Sequence, residues 1–204
     1  MSHSSSVPEH RLCVYCGSSP GKNPAFMKAA EDLGTTLARA NIALVYGGGS
    51  IGLMGQVARA VLKAGGHVTG IIPEFLMNKE RMQEGVNELI VTSTMHERKT
   101  IMFERSTGFV AMPGGIGTLE ELAEIATWGQ LKQHAKPLII CDVAGYWSHL
   151  LAMIDHMRGE AFIRSDAQVF FHTAKTVEDI VPLYHEHCGE VLEEVPLLAV
   201  RNKL

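Results

Sequence analysis

The sequence lacks the long apolar run that a transmembrane helix requires, and its first residues lack the segments of a signal peptide. No stretch of 18 apolar residues occurs in the 204-residue chain, whereas a helix that spans a bilayer needs about 20. Residues 1–8 contain no basic segment followed by an apolar one. We therefore expect a cytoplasmic protein that has no membrane partner.

The chain also lacks an excess of basic residues. It carries 18 Lys and Arg against 22 Asp and Glu, a formal net charge of −4. It therefore has no surplus of positive charge to neutralise the phosphates of a nucleic acid, and we expect no nucleic-acid partner. A hydrophobic content of 46% in 204 residues suits one well-filled domain.

Sequence motifs that are typical of metal sites are scarce as well. The ten histidines include no His-Glu-x-x-His, and the four cysteines include a single C-x-x-C, Cys13 and Cys16. These two cysteines belong to a predicted strand, in which residues three apart point to opposite faces. A zinc site would need a second pair, and a redox pair would follow the strand rather than lie in it. We expect buried, reduced, structural thiols, no metal ligand set and no cofactor.

Glycine, by contrast, is concentrated in two clusters that follow apolar segments. The segment 108–112 runs into Pro113-Gly114-Gly115-Ile116-Gly117-Thr118, and an amphipathic stretch follows. This pattern predicts a strand, a turn that a ligand can approach closely, and a helix whose free N–H groups favour an anion. Glu120 and Glu121 are predicted in the first turn of that helix. We interpret the segment as a site that holds a phosphate and acts on the group attached to it.

The second cluster is Gly47-Gly48-Gly49, which follows the apolar segment 42–46 and precedes a helical pattern. It repeats the arrangement of the first, with an apolar segment, a glycine-rich turn and a helical pattern. It is not a Walker A loop, because no Gly-Lys-Ser/Thr follows. The spacing Gly-x-Gly-x-x-Gly is matched formally, and Glu74 could supply the acidic residue of a dinucleotide site. A tight strand-to-helix turn with no ligand remains the other interpretation.

Short apolar runs alternate with helical patterns along the whole chain. Strands are predicted over 11–16, 42–46, 67–72, 88–93, 108–112, 137–142 and 169–172. Helices are predicted over 24–40, 52–64, 95–106, 118–132, 146–158 and 177–188. Repeated βα units predict a single-domain, Rossmann-like, doubly wound parallel sheet of about seven strands with helices on both faces. We place a flexible N-terminal tail at 1–10, the domain at 11–190 and a C-terminal tail at 191–204.

The carboxyl ends of parallel strands share one edge of the sheet, where ligands bind. Ser18 follows the first strand and Gly47–Gly49 the second, so we predict substrate contacts at these residues. Arg98 and Lys99 lie early in a predicted helix, where positive charge is unfavourable against the helix dipole. We interpret them as groups that hold an anion or an acidic partner. A solvated charge pair with Glu97 is the alternative.

These motifs together resemble the Lonely Guy family of cytokinin riboside 5′-monophosphate phosphoribohydrolases. The family signature Pro-Gly-Gly-x-Gly-Thr-x-x-Glu corresponds to residues 113–121. The glycine run 46–55 and the Met-His-Glu-Arg-Lys segment 95–99 also match, and the resemblance covers about residues 11–185. Members are often labelled possible lysine decarboxylases. That label fits this sequence poorly, because no lysine stands out as a Schiff-base former.

The resemblance implies hydrolysis of the N-glycosidic bond of nucleoside 5′-monophosphates, including AMP, with release of the base and ribose 5-phosphate. It implies that Arg98 and Glu121 are catalytic, with Glu121 meeting oxocarbenium-like charge on the sugar. It also implies a homodimer. The substrate contacts implied by the resemblance are Glu80, Arg98, Lys99, Gly115, Ile116, Gly117, Thr118, Leu119, Glu120, Glu121 and Thr127.

Two other functional classes remain open at this point. A non-catalytic nucleotide-binding or carrier protein on the same fold would need the glycine loops but not the pair Arg98 and Glu121. A dinucleotide oxidoreductase would need a better fingerprint than the one at Gly47. Release of free adenine from AMP would distinguish a hydrolase from both alternatives.

Overall fold

Seven parallel strands alternate with helices in the computed structural model, which describes residues 7–77, 81–163 and 171–189. The strands are β1 (Arg11–Tyr15), β2 (Ala43–Tyr46), β3 (Val68–Pro73), β4 (Glu88–Thr92), β5 (Gly108–Ala111), β6 (Leu138–Cys141) and β7 (His172–Ala174). The helices are α1 (Pro24–Arg39), α2 (Gly52–Lys63), α3 (Glu74–Met77), α4 (Met95–Glu104), α5 (Ile116–Gln130), α6 (Ser148–Gly159) and α7 (Ile180–His187). A 3₁₀ turn, Val143–Gly145, follows β6.

The predicted Rossmann-like sheet of seven strands is confirmed, and the differences concern the ends of elements and one short helix. The predicted seventh strand, 169–172, falls partly outside the described residues, and the described strand begins at His172. The short helix α3 was not predicted. Helix α5 begins at Ile116 rather than at residue 118, because Gly115 is its extended N-cap. Glu120 and Glu121 therefore lie in its second turn, and their predicted place in the first turn was wrong.

The strand order across the sheet is β4-β3-β2-β1-β5-β6-β7. Strands β1 to β4 follow one another toward one edge of the sheet, and β5 to β7 follow one another toward the other edge. The direction of the strand order therefore reverses between β1 and β5. Tyr15 at the end of β1 pairs with Ala111 at the end of β5. Ligands of doubly wound sheets bind outside the carboxyl ends of the strands at such a reversal.

Both faces of the sheet are covered, as the continuous apolar strands predict. Every residue of β2, β5 and β6 is buried. On one face α1 and α2 pack through residues such as Leu33 and Val57. On the other face Met102 of α4 and Leu122 of α5 pack against Phe109 of β5.

The thiols of Cys13 and Cys16 are buried, unpaired and on opposite faces of the sheet. Burial raises the pKa of both well above the ordinary value of a cysteine, so both stay protonated at neutral pH. The interpretation as structural thiols is confirmed.

His10, which the sequence placed in the N-terminal tail, is tied to the domain. Its carbonyl accepts a hydrogen bond from the Ala43 amide at 2.9 Å, and its Nδ1 lies 2.8 Å from the hydroxyl of Tyr184. The residue before β1 is therefore held to the domain by hydrogen bonds. Of the helices in the described ranges, none combines the length and the hydropathy needed to cross a membrane.

Candidate active site

Two adjoining cavities open at the carboxyl ends of β1 and β5. The Glu121 cavity has a volume of about 350 Å³, and its walls include Cys16, Met54, Leu76, Met95, Arg98, Ile116, Gly117, Thr118, Glu120 and Glu121. The Tyr146 cavity has a volume of about 200 Å³, and its walls include Ser19, Gly21, Phe26, Leu53, Pro113, Gly114 and Tyr146. Gly17, Ser18 and Gly115 line both cavities, which therefore form one crevice.

The N-terminus of α5 lies where the two cavities meet. Its N-cap, Gly115, makes no side-chain capping hydrogen bond, and the first N–H groups of a helix have no partner within the helix. Gly115 and Gly117 are exposed. A Cβ on Gly114 would lie 2.2 Å from the Thr118 hydroxyl oxygen, so only glycine fits there. The amides that follow Gly115 are therefore open to an anion, as predicted.

The second glycine cluster does not repeat this arrangement. The amides of Leu53 and Met54, at the start of α2, donate to the Gly17 carbonyl at 3.0 and 3.3 Å. Gly52 has a φ of +58° and lies against the backbone of Ser18. The loop after β1 thus caps α2, and the prediction of a second helix N-terminus open to an anion was wrong.

Gly47, Gly48 and Gly49 are buried, and none of them lines either of the two cavities described above. The Gly47 carbonyl accepts a hydrogen bond from Arg98 Nη2 at 3.3 Å. The Gly48 carbonyl accepts one from the Gln83 amide at 3.0 Å. The cluster therefore lies beside the site and holds Arg98, and its direct contact with a substrate stays a prediction.

Arg98 is 5% exposed, yet its side chain lines the Glu121 cavity. Apart from the bond to Gly47, its guanidinium contacts Met95 Sδ at 3.8 Å. Its Nε has no hydrogen-bond partner within the described part of the chain. A buried cation with an unsatisfied N–H is costly unless a ligand completes its contacts.

The alternative of a solvated pair between Arg98 and Glu97 does not hold. Glu97 accepts hydrogen bonds at 2.8 Å from both the amide and the hydroxyl of Ser93, and its own amide donates to Thr94 Oγ1 at 3.1 Å. This is a capping box at the start of α4. The bonds from Ser93 lower the pKa of Glu97. Glu97 therefore fixes the helix that carries Arg98.

Lys99 joins α4 to α5. Its ammonium group lies 2.6 Å from a carboxylate oxygen of Glu120 and 3.0 Å from one of Glu124. Burial alone would lower the pKa of Lys99, but the hydrogen bonds that its ammonium donates to the two carboxylates outweigh this effect, and the pKa is raised. The positive charge of Lys99, which was predicted to hold an anion or an acidic partner, is thus paired with two carboxylates of α5. Direct contact of Lys99 with a substrate stays a prediction.

Glu121 lines the same cavity as Arg98 and is half-buried. Cys16, which follows β1, lines this cavity too, and the negative charge of Glu121 adds to the effect of burial in raising the pKa of Cys16. The two residues that the resemblance implies as catalytic are therefore brought together from α4 and α5. The cavity offers a cation, a carboxylate and free backbone amides within one space.

Two other predicted contacts lie elsewhere. Leu119 and Thr127 line an apolar groove between α5 and α6, with a volume of about 270 Å³, and not the crevice. The Thr127 hydroxyl donates to the Ala123 carbonyl at 2.7 Å. The α5 helix turns these side chains away from Glu121, so within one chain they do not reach its cavity. Glu80 lies outside the described residues.

Sequence reasoning missed several residues of the crevice. Met54, Leu76 and Met95 give the Glu121 cavity an apolar side, and Phe26 and Tyr146 give the other cavity an aromatic one. Tyr146 could have been found, because its loop follows β6 and therefore lies at the same edge of the sheet. Within the described ranges, no group of three or more His, Cys, Asp or Glu residues is arranged to hold a metal ion.

The sequence is similar to named proteins over most of its length. A family model described as possible lysine decarboxylase matches residues 54–183. Cytokinin riboside 5′-monophosphate phosphoribohydrolase LOG4 of Arabidopsis thaliana is 48% identical over 177 residues, which cover 87% of this chain and 82% of that protein. The probable phosphoribohydrolase LOGL9 of Oryza sativa subsp. japonica is 47% identical, with 87% and 78% covered.

Solved structures share the fold at lower identity. The molybdenum cofactor binding protein of Rippkaea orientalis matches with a TM-score of 0.64 and 24% identity, over 89% of this chain and 98% of that chain. The Moco carrier protein of Chlamydomonas reinhardtii matches with a TM-score of 0.65 and 21% identity, over 89% and 99%. These likenesses concern the fold alone. By its family model and its identity of 48% to a named relative, the chain belongs to the Lonely Guy family of cytokinin riboside 5′-monophosphate phosphoribohydrolases.

Proposed function

We propose that this protein hydrolyses the N-glycosidic bond of nucleoside 5′-monophosphates, including AMP, and releases the base and ribose 5-phosphate. The observation that carries the proposal is the presence of Arg98 and Glu121 on the wall of one cavity, beside the open N-terminus of α5. A carrier needs the anion site but not the carboxylate. The names of the relatives support the same reaction.

The spacing along α5 suits a nucleotide. Glu121 is six residues beyond Gly115, a rise of about 9 Å along the helix. A phosphate held by the amides after Gly115 can therefore place the anomeric carbon of its ribose near the Glu121 carboxylate. Binding energy from the phosphate then positions a reacting centre that it does not itself contact.

Cleavage of the glycosidic bond builds positive charge on the ribose. The base leaves with the bonding electron pair and takes up a proton from solvent, while the oxygen of a water molecule bonds to the anomeric carbon and the proton that it loses passes through Glu121 to solvent. Glu121 stabilises the oxocarbenium-like charge and accepts the proton of the attacking water. Arg98 does not serve as an acid, because a guanidinium group does not release its proton in proteins. It orients Glu121 and the substrate instead.

Dependence on the phosphate is the first test. We expect free adenine from AMP, measured by liquid chromatography, and a kcat/KM for adenosine lower by about 10²–10⁴, because several charge-assisted hydrogen bonds to the phosphate are lost. Comparable kcat/KM values for AMP and adenosine would contradict the proposal. Binding of AMP without release of adenine would indicate a carrier.

A homodimer is part of the proposal. In the apolar groove between α5 and α6, Met157 and Phe162 are exposed to fractions of 40% and 83%. Met153 of α6, which does not line the groove, is exposed to 51%. We expect light scattering to give about twice the monomer mass of 22.3 kDa, and Met157→Glu to shift the protein to the monomer. Val91→Glu, on the edge strand β4, is the matched control and should leave the mass unchanged. A wild-type monomer at micromolar concentration would refute the dimer.

A further inference from the structure

Three charged side chains join α4 to α5 directly beside the two residues proposed to act on the substrate. Lys99 of α4 follows Arg98 in the chain, and Glu120 of α5 precedes Glu121. The Lys99 ammonium lies 2.6 Å from a carboxylate oxygen of Glu120 and 3.0 Å from one of Glu124. We call Lys99, Glu120 and Glu124 the Lys99 network. It connects the two helices at positions adjacent in sequence to Arg98 and Glu121.

The two carboxylates of the network hold the ammonium group at two points along α5. Glu120 and Glu124 are four residues apart, so they lie on the same face of the helix, about 6 Å from each other along its axis. One carboxylate partner leaves a lysine side chain free to swing about it. Two partners on the same helix face restrict the ammonium group along the helix axis as well, and so they fix where α4 meets α5.

The network is partly buried, so solvent screens it less than an ordinary surface ion pair. The side chains of Lys99 and Glu124 are 17% and 24% exposed, against 52% for Glu120. Ion pairs between fully exposed groups contribute little, whereas charges that are partly buried interact more strongly. Glu124 is therefore the firmer of the two partners, although it lines neither the Glu121 cavity nor the Tyr146 cavity.

The position of Arg98 relative to α5 depends on how α4 is held. Its guanidinium bonds to the Gly47 carbonyl at 3.3 Å and contacts Met95 Sδ at 3.8 Å, and neither residue belongs to α5. The buried apolar packing that the two helices share against Phe109 lies one turn further along α4, at Met102. The ion pairs of the residue that follows Arg98 therefore hold this part of α4 to α5.

We infer that Glu124 is a positioning residue for the proposed reaction. Together with Glu120 it holds Lys99, and the Lys99 network keeps Arg98 at the distance from Glu121 that turnover requires. A displacement of about 1 Å between the groups of an active site can lower the rate by about 10²-fold. The inference rests on the proposed function for the reaction itself. It gives Lys99 a role that needs no contact with the substrate.

Redundancy between the two carboxylates gives the test its signature. Either one still holds Lys99 when the other is neutralised, so Glu120→Gln and Glu124→Gln should each lower kcat for adenine release from AMP by only about 2- to 3-fold. The double variant frees Lys99 and should lower kcat by about 30- to 100-fold, well beyond the product of the single effects, with a smaller change in KM. Lys99→Met should match the double variant. Lys99→Arg should keep most of the turnover, because a guanidinium also pairs with carboxylates.

Lys28→Met is the matched control, since it also removes a lysine paired with a carboxylate, that of Asp32 at 2.6 Å, but within the exposed face of α1. It should change neither kcat nor KM. Single effects that merely multiply in the double variant, or a loss confined to KM in Lys99→Met, would overturn the inference.

Hydrogen–deuterium exchange separates this inference from the proposed function. Backbone amides of residues 95–101 should exchange faster in the double variant and in Lys99→Met than in the wild type or either single variant. If the wild type released no adenine from AMP, the proposed reaction would be wrong, and the exchange rates would still decide whether the Lys99 network holds α4 to α5. Unchanged exchange in the double variant would overturn the network itself.

Discussion

Replacing Glu121 with glutamine is expected to lower kcat for base release by about 10²–10⁴, the range for a lost general acid or base. Glutamine keeps the size and the hydrogen-bonding reach of the side chain but removes the negative charge that meets the oxocarbenium-like transition state. Glu121 lies in the second turn of α5, beyond the first turn, where a carboxylate supports the helix dipole most strongly. The loss in folding free energy should therefore stay below about 1 kcal/mol.

Glu120→Gln is the matched control for this experiment. Glu120 belongs to the same helix turn, but its carboxylate is bound to Lys99, and Glu124 remains as a second partner when Glu120 is neutralised. Its effect on kcat should therefore be much milder. Steady-state kinetics and circular dichroism on both variants would decide the matter. A folded Glu121→Gln protein with near-normal turnover would remove Glu121 from the mechanism.

The architecture could be predicted from the sequence because it depends on periodic patterns. Continuous apolar runs such as 138–141 are buried on both faces, and only a sheet covered by helices buries them so. The position of the site also follows from topology, since the loops after β1 and β5 must meet where the strand order reverses. Gly114, Gly115 and Gly117 then indicated which of these loops precedes a helix whose first amides are open to an anion.

The partners of individual side chains could not be predicted in the same way. The Gly17 carbonyl caps α2, and Gly47 supports Arg98, through contacts between residues distant in sequence. Glycine-rich turns that face a ligand and those that face other parts of the protein have the same local pattern. The same limit applies to Lys99, whose acidic partners come from another helix.

The groove residues show a further limit. The resemblance implied substrate contacts at Leu119 and Thr127, yet the structure of one chain places them between α5 and α6. If a second chain completes a substrate contact, neither the sequence nor the structure of a single chain shows that contact. The dimer experiment therefore also bears on these two predicted contacts.

Replacing Arg98 with methionine is expected to impair catalysis and stabilise the free protein at the same time. Arg98 is 5% exposed, and no ion pair among the described residues includes it. Its charge is thus buried at a cost that a bound substrate offsets. Methionine fills similar space without the charge, and relief of about 1 kcal/mol would raise the melting temperature by about 2–4 °C in a chain of this size.

The same substitution should lower kcat/KM for AMP by about 10²–10⁴, through both kcat and KM, because Arg98 orients the substrate as well as Glu121. Arg105→Met is the control: Arg105 lies at the end of the same helix, exposed, with Glu88 at 3.3 Å, and its loss should change neither rate nor melting temperature appreciably. Steady-state kinetics and thermal unfolding would be measured on all three proteins. An Arg98→Met protein that melts well below the wild type would show that the arginine stabilises the fold through contacts of its own. Full activity in that variant would exclude Arg98 from the site.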